Sequence, residues 1–187
     1  MKHLRIHDYV QMPWKNAKGT TLQIGIFPED ANFSNGEFIW RVSSAPVLGS
    51  GSFSQFPGYE RVLMVIKGAG LILNGKKRLP FKPILFSGDE LMQAKLLQGI
   101  VVDLGIIYDA RQVRAEMKTL EIEAGEVLKL DFDLGTWFLY CAEGIVDIGG
   151  MRLVAGETCR IDGEKRTHAK TTQETKVVVL SLKLISK

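Results

Sequence analysis

Arg41, in Trp40-Arg41-Val42-Ser43, and Arg61, in Tyr59-Glu60-Arg61-Val62, are the side chains of this sequence best suited to chemistry. A guanidinium keeps its charge at any relevant pH and presents a planar fork of donors that fits a carboxylate bidentately. With Lys15 and the carboxamide of Asn16 beside them, they would suit a small dicarboxylate or another anionic metabolite. The alternative for each arginine is an ion pair with Glu60 or Asp103, or a bond to a backbone carbonyl, that merely closes the fold. Trp14 and Phe56 offer an aromatic wall for a ligand, while Trp40 reads better as core. Thr20, Thr21, Ser43 and Ser54 add hydroxyls that either orient a ligand or serve turns and strand pairs. Glu60 and Asp103 are the acid or base candidates for any catalysis, although carboxylates that face arginines are expected to be ionised and structural.

Other chemistries lack their residues. The histidines are His3, His7 and His168, with no pair at ligand spacing, so no metal or cofactor is expected. His168 lies in a turn-like segment and reads as a surface residue. Cys141 and Cys159 stand in apolar strands, where a free cysteine behaves as a small hydrophobe, and they fall short of a zinc set. No serine sits in a Gly-x-Ser-x-Gly frame. Net charge is only +3 with both signs interspersed, and groups such as Lys76-Lys77-Arg78 read as solvated turns, so no nucleic-acid partner is expected. Apolar runs fall well short of the roughly 20 residues needed to span a bilayer. The N-terminus has no apolar signal region, so the cytoplasm is the expected location.

These side chains need a scaffold, and the turn signals describe one. Nineteen glycines against six prolines, recurring about every ten residues, predict an all-β sandwich or barrel. Strands are expected at 4–10, 22–27, 37–44, 61–66, 70–73, 84–86, 91–96 and 100–107, then at 127–131, 136–141, 145–148, 151–154, 158–161 and 175–184. Between the two series, Ala110 to Lys118 reads as a linker with a short helical turn. Alternation in Phe38 to Ser43 sets Trp40 and Arg41 on opposite faces of one strand.

The two series also repeat. Val62 to Gly75 matches Trp137 to Gly150 in kind, and Gly88-Asp89-Glu90-Leu91 matches Gly156-Glu157-Thr158-Cys159. Phe53-Ser54-Gln55-Phe56-Pro57-Gly58-Tyr59-Glu60-Arg61, with the hairpin that follows, resembles a cupin strand pair stripped of its metal ligands. The expected architecture is therefore a double cupin of the RmlC-like type, with residues 1–112 as the first half and 113–187 as the second.

Three ordered blocks narrow the resemblance. Met12-Pro13-Trp14-Lys15-Asn16-Ala17-Lys18-Gly19-Thr20-Thr21, Ile39-Trp40-Arg41-Val42-Ser43-Ser44-Ala45 and Gly51 to Arg61 are similar, in that order, to motifs of the HutD/Ves family. The resemblance implies a metal-free bicupin of the bacterial cytoplasm, linked to histidine utilisation, that binds a small anionic metabolite as a sensor or regulator. The ligand positions it suggests are Trp14, Lys15, Asn16, Thr21, Arg41, Ser54, Phe56, Glu60, Arg61 and Asp103. The chain departs from the family at Ala17-Lys18, at Leu22-Gln23 and at Gly105, where the family has Asn, so contacts made there elsewhere do not carry over. A metal-independent acid-base enzyme and a structural or partner-binding module, a homodimer included, are the other readings.

Overall fold

A computed structural model of the chain describes residues 1–13, 19–33 and 36–185. Apart from short 3-10 turns, every regular element among them is a strand. The chain divides into two compact units, Tyr9–Val113 and Met1–Asp8 with Arg114–Lys187.

The first unit pairs a six-stranded sheet with a four-stranded one. The larger runs β2 (Val10–Pro13), β3 (Thr20–Phe27), β4 (Trp40–Val47), β11 (Val101–Tyr108), β6 (Glu60–Lys67) and β9 (Ile84–Ser87). The smaller runs β5 (Gly51–Ser52), β10 (Gln93–Leu96), β7 (Leu71–Leu73) and β8 (Lys76–Arg78). Lys76-Lys77-Arg78, read from sequence as a turn, is thus an edge strand.

The second unit repeats this order. Its five-stranded sheet runs β12 (Val113–Ile122), β19 (Thr175–Leu184), β14 (Thr136–Glu143), β17 (Thr158–Asp162) and β1 (Lys2–Leu4). Its four-stranded sheet runs β13 (Val127–Phe132), β18 (Lys165–Lys170), β15 (Ile145–Ile148) and β16 (Met151–Val154). Strands β4-β11-β6-β9 and β12-β19-β14-β17 therefore occupy equivalent places. Even an irregularity recurs: pairing with the neighbouring strand slips between Val65 and Lys67 on β6, and between Cys141 and Glu143 on β14.

That shared slip corrects the alignment read from sequence. The counterpart of Trp137 on β14 is Arg61, not Val62, because both lie four residues before the slip. One residue matters here, since a shift of one turns every side chain of a strand to the other face.

Two further expectations are corrected. The expected boundary put residues 1–112 together, but Met1–Asp8 belongs with the C-terminal unit, because β1 pairs antiparallel with β17 through Lys2↔Arg160 and Leu4↔Thr158. Of the expected linker at 110–118, Ala110 to Gln112 do form a turn, with the Gln112 and Val113 N–H groups donating to the Asp109 carbonyl, but from Val113 onward the segment is the ten-residue strand β12. Its Arg, Glu, Ala and Met favour a helix in isolation, but a place in the ladder beside β19 with Val113, Met117 and Ile122 buried outweighs that weak preference.

Alternation assigns the faces. In the first unit Leu63, Val65, Ile84, Phe86, Val47 and Val101 point inward and pack on Leu71, Leu73 and Ala94 of the smaller sheet. In the second, Leu139, Cys141, Cys159, Val177 and Val179 meet Val146, Ile148, Leu153 and Ala169. Each Val, Leu, Ile or Phe among them contributes roughly 1.5–3 kcal/mol when fully buried. Both cysteines are free, and burial raises their thiols to about 12 for Cys141 and about 11 for Cys159.

Candidate functional site

Arg41, Ile107 and Arg61 stand side by side on one rung of the six-stranded sheet, on β4, β11 and β6. Ile26 of β3 and Phe86 of β9 extend the same rung. The next inward rung is Gln23, Ser43, Gly105, Leu63 and Ile84, and beyond it Ala45, Asp103 and Val65 lie together. Polar groups thus cluster on the β3-β4-β11 side of the inner face, while the β6-β9 side is apolar apart from Arg61.

The register brings Arg41 and Arg61 onto the same face, about 10 Å apart at the backbone, or two strand spacings. Arg41 is buried. Its Nε donates to Gln23 Oε1 at 2.9 Å and its Nη2 to Met12 Sδ at 3.2 Å, and its guanidinium lies 3.9 Å from the Phe33 ring centroid. Arg61 is half-buried, and its Nη1 donates to the Ser54 carbonyl at 2.9 Å. Its guanidinium is flanked by Phe86, Phe56 and Phe53 at 4.9, 5.3 and 5.7 Å. Phe33 and Phe56 touch each other with centroids 5.7 Å apart, so one aromatic pair borders both cations.

Neither guanidinium has a carboxylate within salt-bridge distance among the described residues. Burial, and then repulsion from Arg61, lowers Arg41 to about 10. Arg61 is lowered chiefly by burial, with Asp103 opposing. Asp103 is the acid whose charge acts on Arg61, but burial raises it to about 7 against the pull of Arg61 and an Ala45 backbone N–H, so at neutral pH it is only partly ionised. An uncompensated positive charge in a desolvated place is the central electrostatic feature of this barrel.

The expected site residues divide accordingly. Arg41, Arg61, Asp103 and Phe56 come together on or beside the inner face. Ser54 contributes its carbonyl to Arg61 rather than its hydroxyl. Thr21 lies opposite Met12 and, by alternation, on the face of Gln23. Glu60 does not join them: its register with Tyr108 and Ser87 turns it to the opposite face, where its charge adds to burial in raising the Tyr108 phenol. Trp14, Lys15 and Asn16 lie outside the described residues.

The structure adds Gln23, Met12, Phe33, Phe53 and Phe86. Gln23 was hidden by a pairing irregularity on β3 between Gln23 and Gly25, which breaks simple alternation. Phe33 lies in a connection between strands, where no periodicity exists to read. Gln23 and Phe86 sit in strands the sequence predicts, whereas Met12, Phe33 and Phe53 do not.

No group of three or more His, Cys, Asp or Glu able to hold a metal ion occurs among the described residues. Among the described residues no helix is long and apolar enough to cross a membrane. Two successive two-sheet barrels of equivalent strand order, the first with a polar inner belt, define a double cupin. The HutD family model matches residues 6–179, and the chain belongs to that family.

A Pseudomonas putida protein described as an uncharacterized 21.2 kDa protein in the hutC 3' region is 38% identical over 120 residues, 62% of each chain. The match thus spans less than two thirds of that relative. Two solved structures superpose with a TM-score of 0.81. One is the conserved protein of unknown function PA5104 from Pseudomonas aeruginosa PAO1, at 29% identity over 97% of both chains. The other is HutD from Pseudomonas fluorescens SBW25 in a formate condition, at 28% identity over 99% of both chains.

Proposed function

We propose that the first barrel binds a small carboxylate between Arg41 and Arg61 and that the protein reports the level of such a metabolite in histidine or related amino-acid catabolism in the cytoplasm. The observation that carries this reading is the pair of guanidiniums on one inner rung, both desolvated, with no carboxylate partner among the described residues. Buried cations are retained where something compensates them, and a ligand carboxylate would do so with bidentate bonds. Arg41 has donors to spare, because a guanidinium carries about five N–H groups and its Nη1 has no partner among the described residues. Support from relatives is the hutC-region position of one and the formate condition of another.

Thermal shift of the full chain with formate, acetate, glutamate, urocanate and formylglutamate tests the proposal. A carboxylate that binds raises the melting temperature by mass action. Arg41→Met and Arg61→Met should stay folded and lose the shift. No shift at millimolar ligand, or an equal shift in both variants, rejects it.

Asp103 gives a second reading some footing, since a carboxyl near neutrality beside cations is poised for proton transfer. Turnover abolished by Asp103→Asn while carboxylate binding persists would favour an acid-base enzyme.

A further inference from the structure

Gly105 occupies the centre of the polar belt, on β11 between Ser43 of β4 and Leu63 of β6. Nothing in the backbone demands glycine there. Its φ lies outside the left-handed range, and among the described residues a Cβ would meet only the Val62 carbonyl at 3.7 Å, an ordinary contact. Gly88 of the same unit is different, because a Cβ there would run into the carbonyls of Phe56 and Tyr59. Glycine inside a central strand weakens it, and often marks a place that another group approaches closely.

The surroundings indicate what approaches. Gly105 remains half-exposed, although Leu104 and Ile106 beside it are fully buried on the other face. Among the described residues the Ser43 hydroxyl has no partner, and neither do the amide N–H groups of Gln23, whose oxygen is taken by Arg41. Asp103 stands one inward position away on the same strand and can accept a hydrogen bond. The equivalent rung of the second unit supplies an internal control. There Leu139 pairs with Val179 and Cys159 where the first unit has Leu63 with Gly105 and Ile84. Val179 is buried and fills the space that Gly105 leaves open.

The geometry points to Gly105 as the residue that sets ligand size, its missing side chain leaving a recess beside the two arginines for the tail of a carboxylate whose far end carries an amide. The amide oxygen would accept from Gln23 or Ser43, and the amide N–H would donate to Asp103. This rests on the carboxylate site proposed above and deepens it.

Calorimetric titration of the full-length protein with acetate and with succinamate tests the inference. The wild type should bind succinamate at least about tenfold more tightly than acetate. Gly105→Val should hold acetate within about twofold while losing the succinamate advantage, and Gly105→Ala should fall between. Gly105→Ala carries the test should the valine variant fail to fold. A wild type that binds both equally, or a variant that keeps the advantage, overturns the inference and leaves the carboxylate site standing. A wild type that binds neither overturns both.

Discussion

At five equivalent inward positions the two barrels carry different chemistry on the same framework. Arg61, Val65, Asp103, Gly105 and Ile107 of the first correspond to Trp137, Cys141, Val177, Val179 and Ser181 of the second. The second barrel is filled. Val177 and Val179 pack with Leu139, Cys141 and Cys159, and Trp137 rests on Phe132 with centroids 5.0 Å apart while donating to the Asp133 carbonyl at 3.0 Å. The first exchanges an aromatic for a cation, a valine for an acid and another valine for nothing. An architecture that can satisfy its core with apolar side chains, as the second unit does, carries the polar belt of the first at a cost in stability. On the carboxylate-site reading proposed above, that cost marks a site rather than a fold requirement.

Exchanging residues between the barrels tests the contrast most strongly. Val179→Gly opens a cavity in a filled core and adds chain entropy, so chemical denaturation should show a loss of about 3 kcal/mol.

A pH series is the next test. Asp103 is raised to about 7 in the folded protein, above its unfolded value, so the folded state holds the proton more tightly. The stability this contributes is complete below the unfolded value and is lost as pH rises to about 7, by on the order of 4 kcal/mol. Asp103→Asn should remove most of that decline. Carboxylate affinity should weaken above neutrality in the wild type, as ionised Asp103 competes for the arginines. A decline that persists in the variant would place its origin elsewhere.

Arg41→Met removes a buried cation that lacks an acidic partner, so stability in urea should be unchanged or rise by up to about 1 kcal/mol. A large loss would make Arg41 a structural strut. Gly105→Val should raise stability by about 0.5–1 kcal/mol, read as a higher urea midpoint at constant slope. A gain at position 105 set against a loss at position 179 would establish that the recess, and not the strand, is what glycine serves.

Much of this framework is legible in the chain. Glycine turns at regular intervals and alternating strands lead to an all-β double cupin, and the Gly51–Arg61 block leads to the family. Arg41, Arg61 and Asp103 stand out because charged residues in otherwise apolar strands are conspicuous. Their grouping is not legible in the same way. Arg41 and Arg61 meet only because β11 comes between β4 and β6, a pairing of segments far apart in sequence. Gln23 reaches Arg41 only across an irregular register on β3. Glu60, adjacent to Arg61 in the chain, is removed from the site by the same alternation that places Arg61 in it. The placement of Met1–Asp8 and the strand at Val113–Ile122 escape the local pattern for a related reason: a ladder partner far along the chain outweighs local propensity.

The class of fold, the repetition of its units and the identity of the charged side chains can be read along the chain, because turn chemistry, alternation and side-chain type are local properties. Which charges share a rung, which of them lack a partner among the described residues and that Gly105 leaves room for a side chain emerge only in the folded molecule, because register and desolvation arise only when distant strands pair.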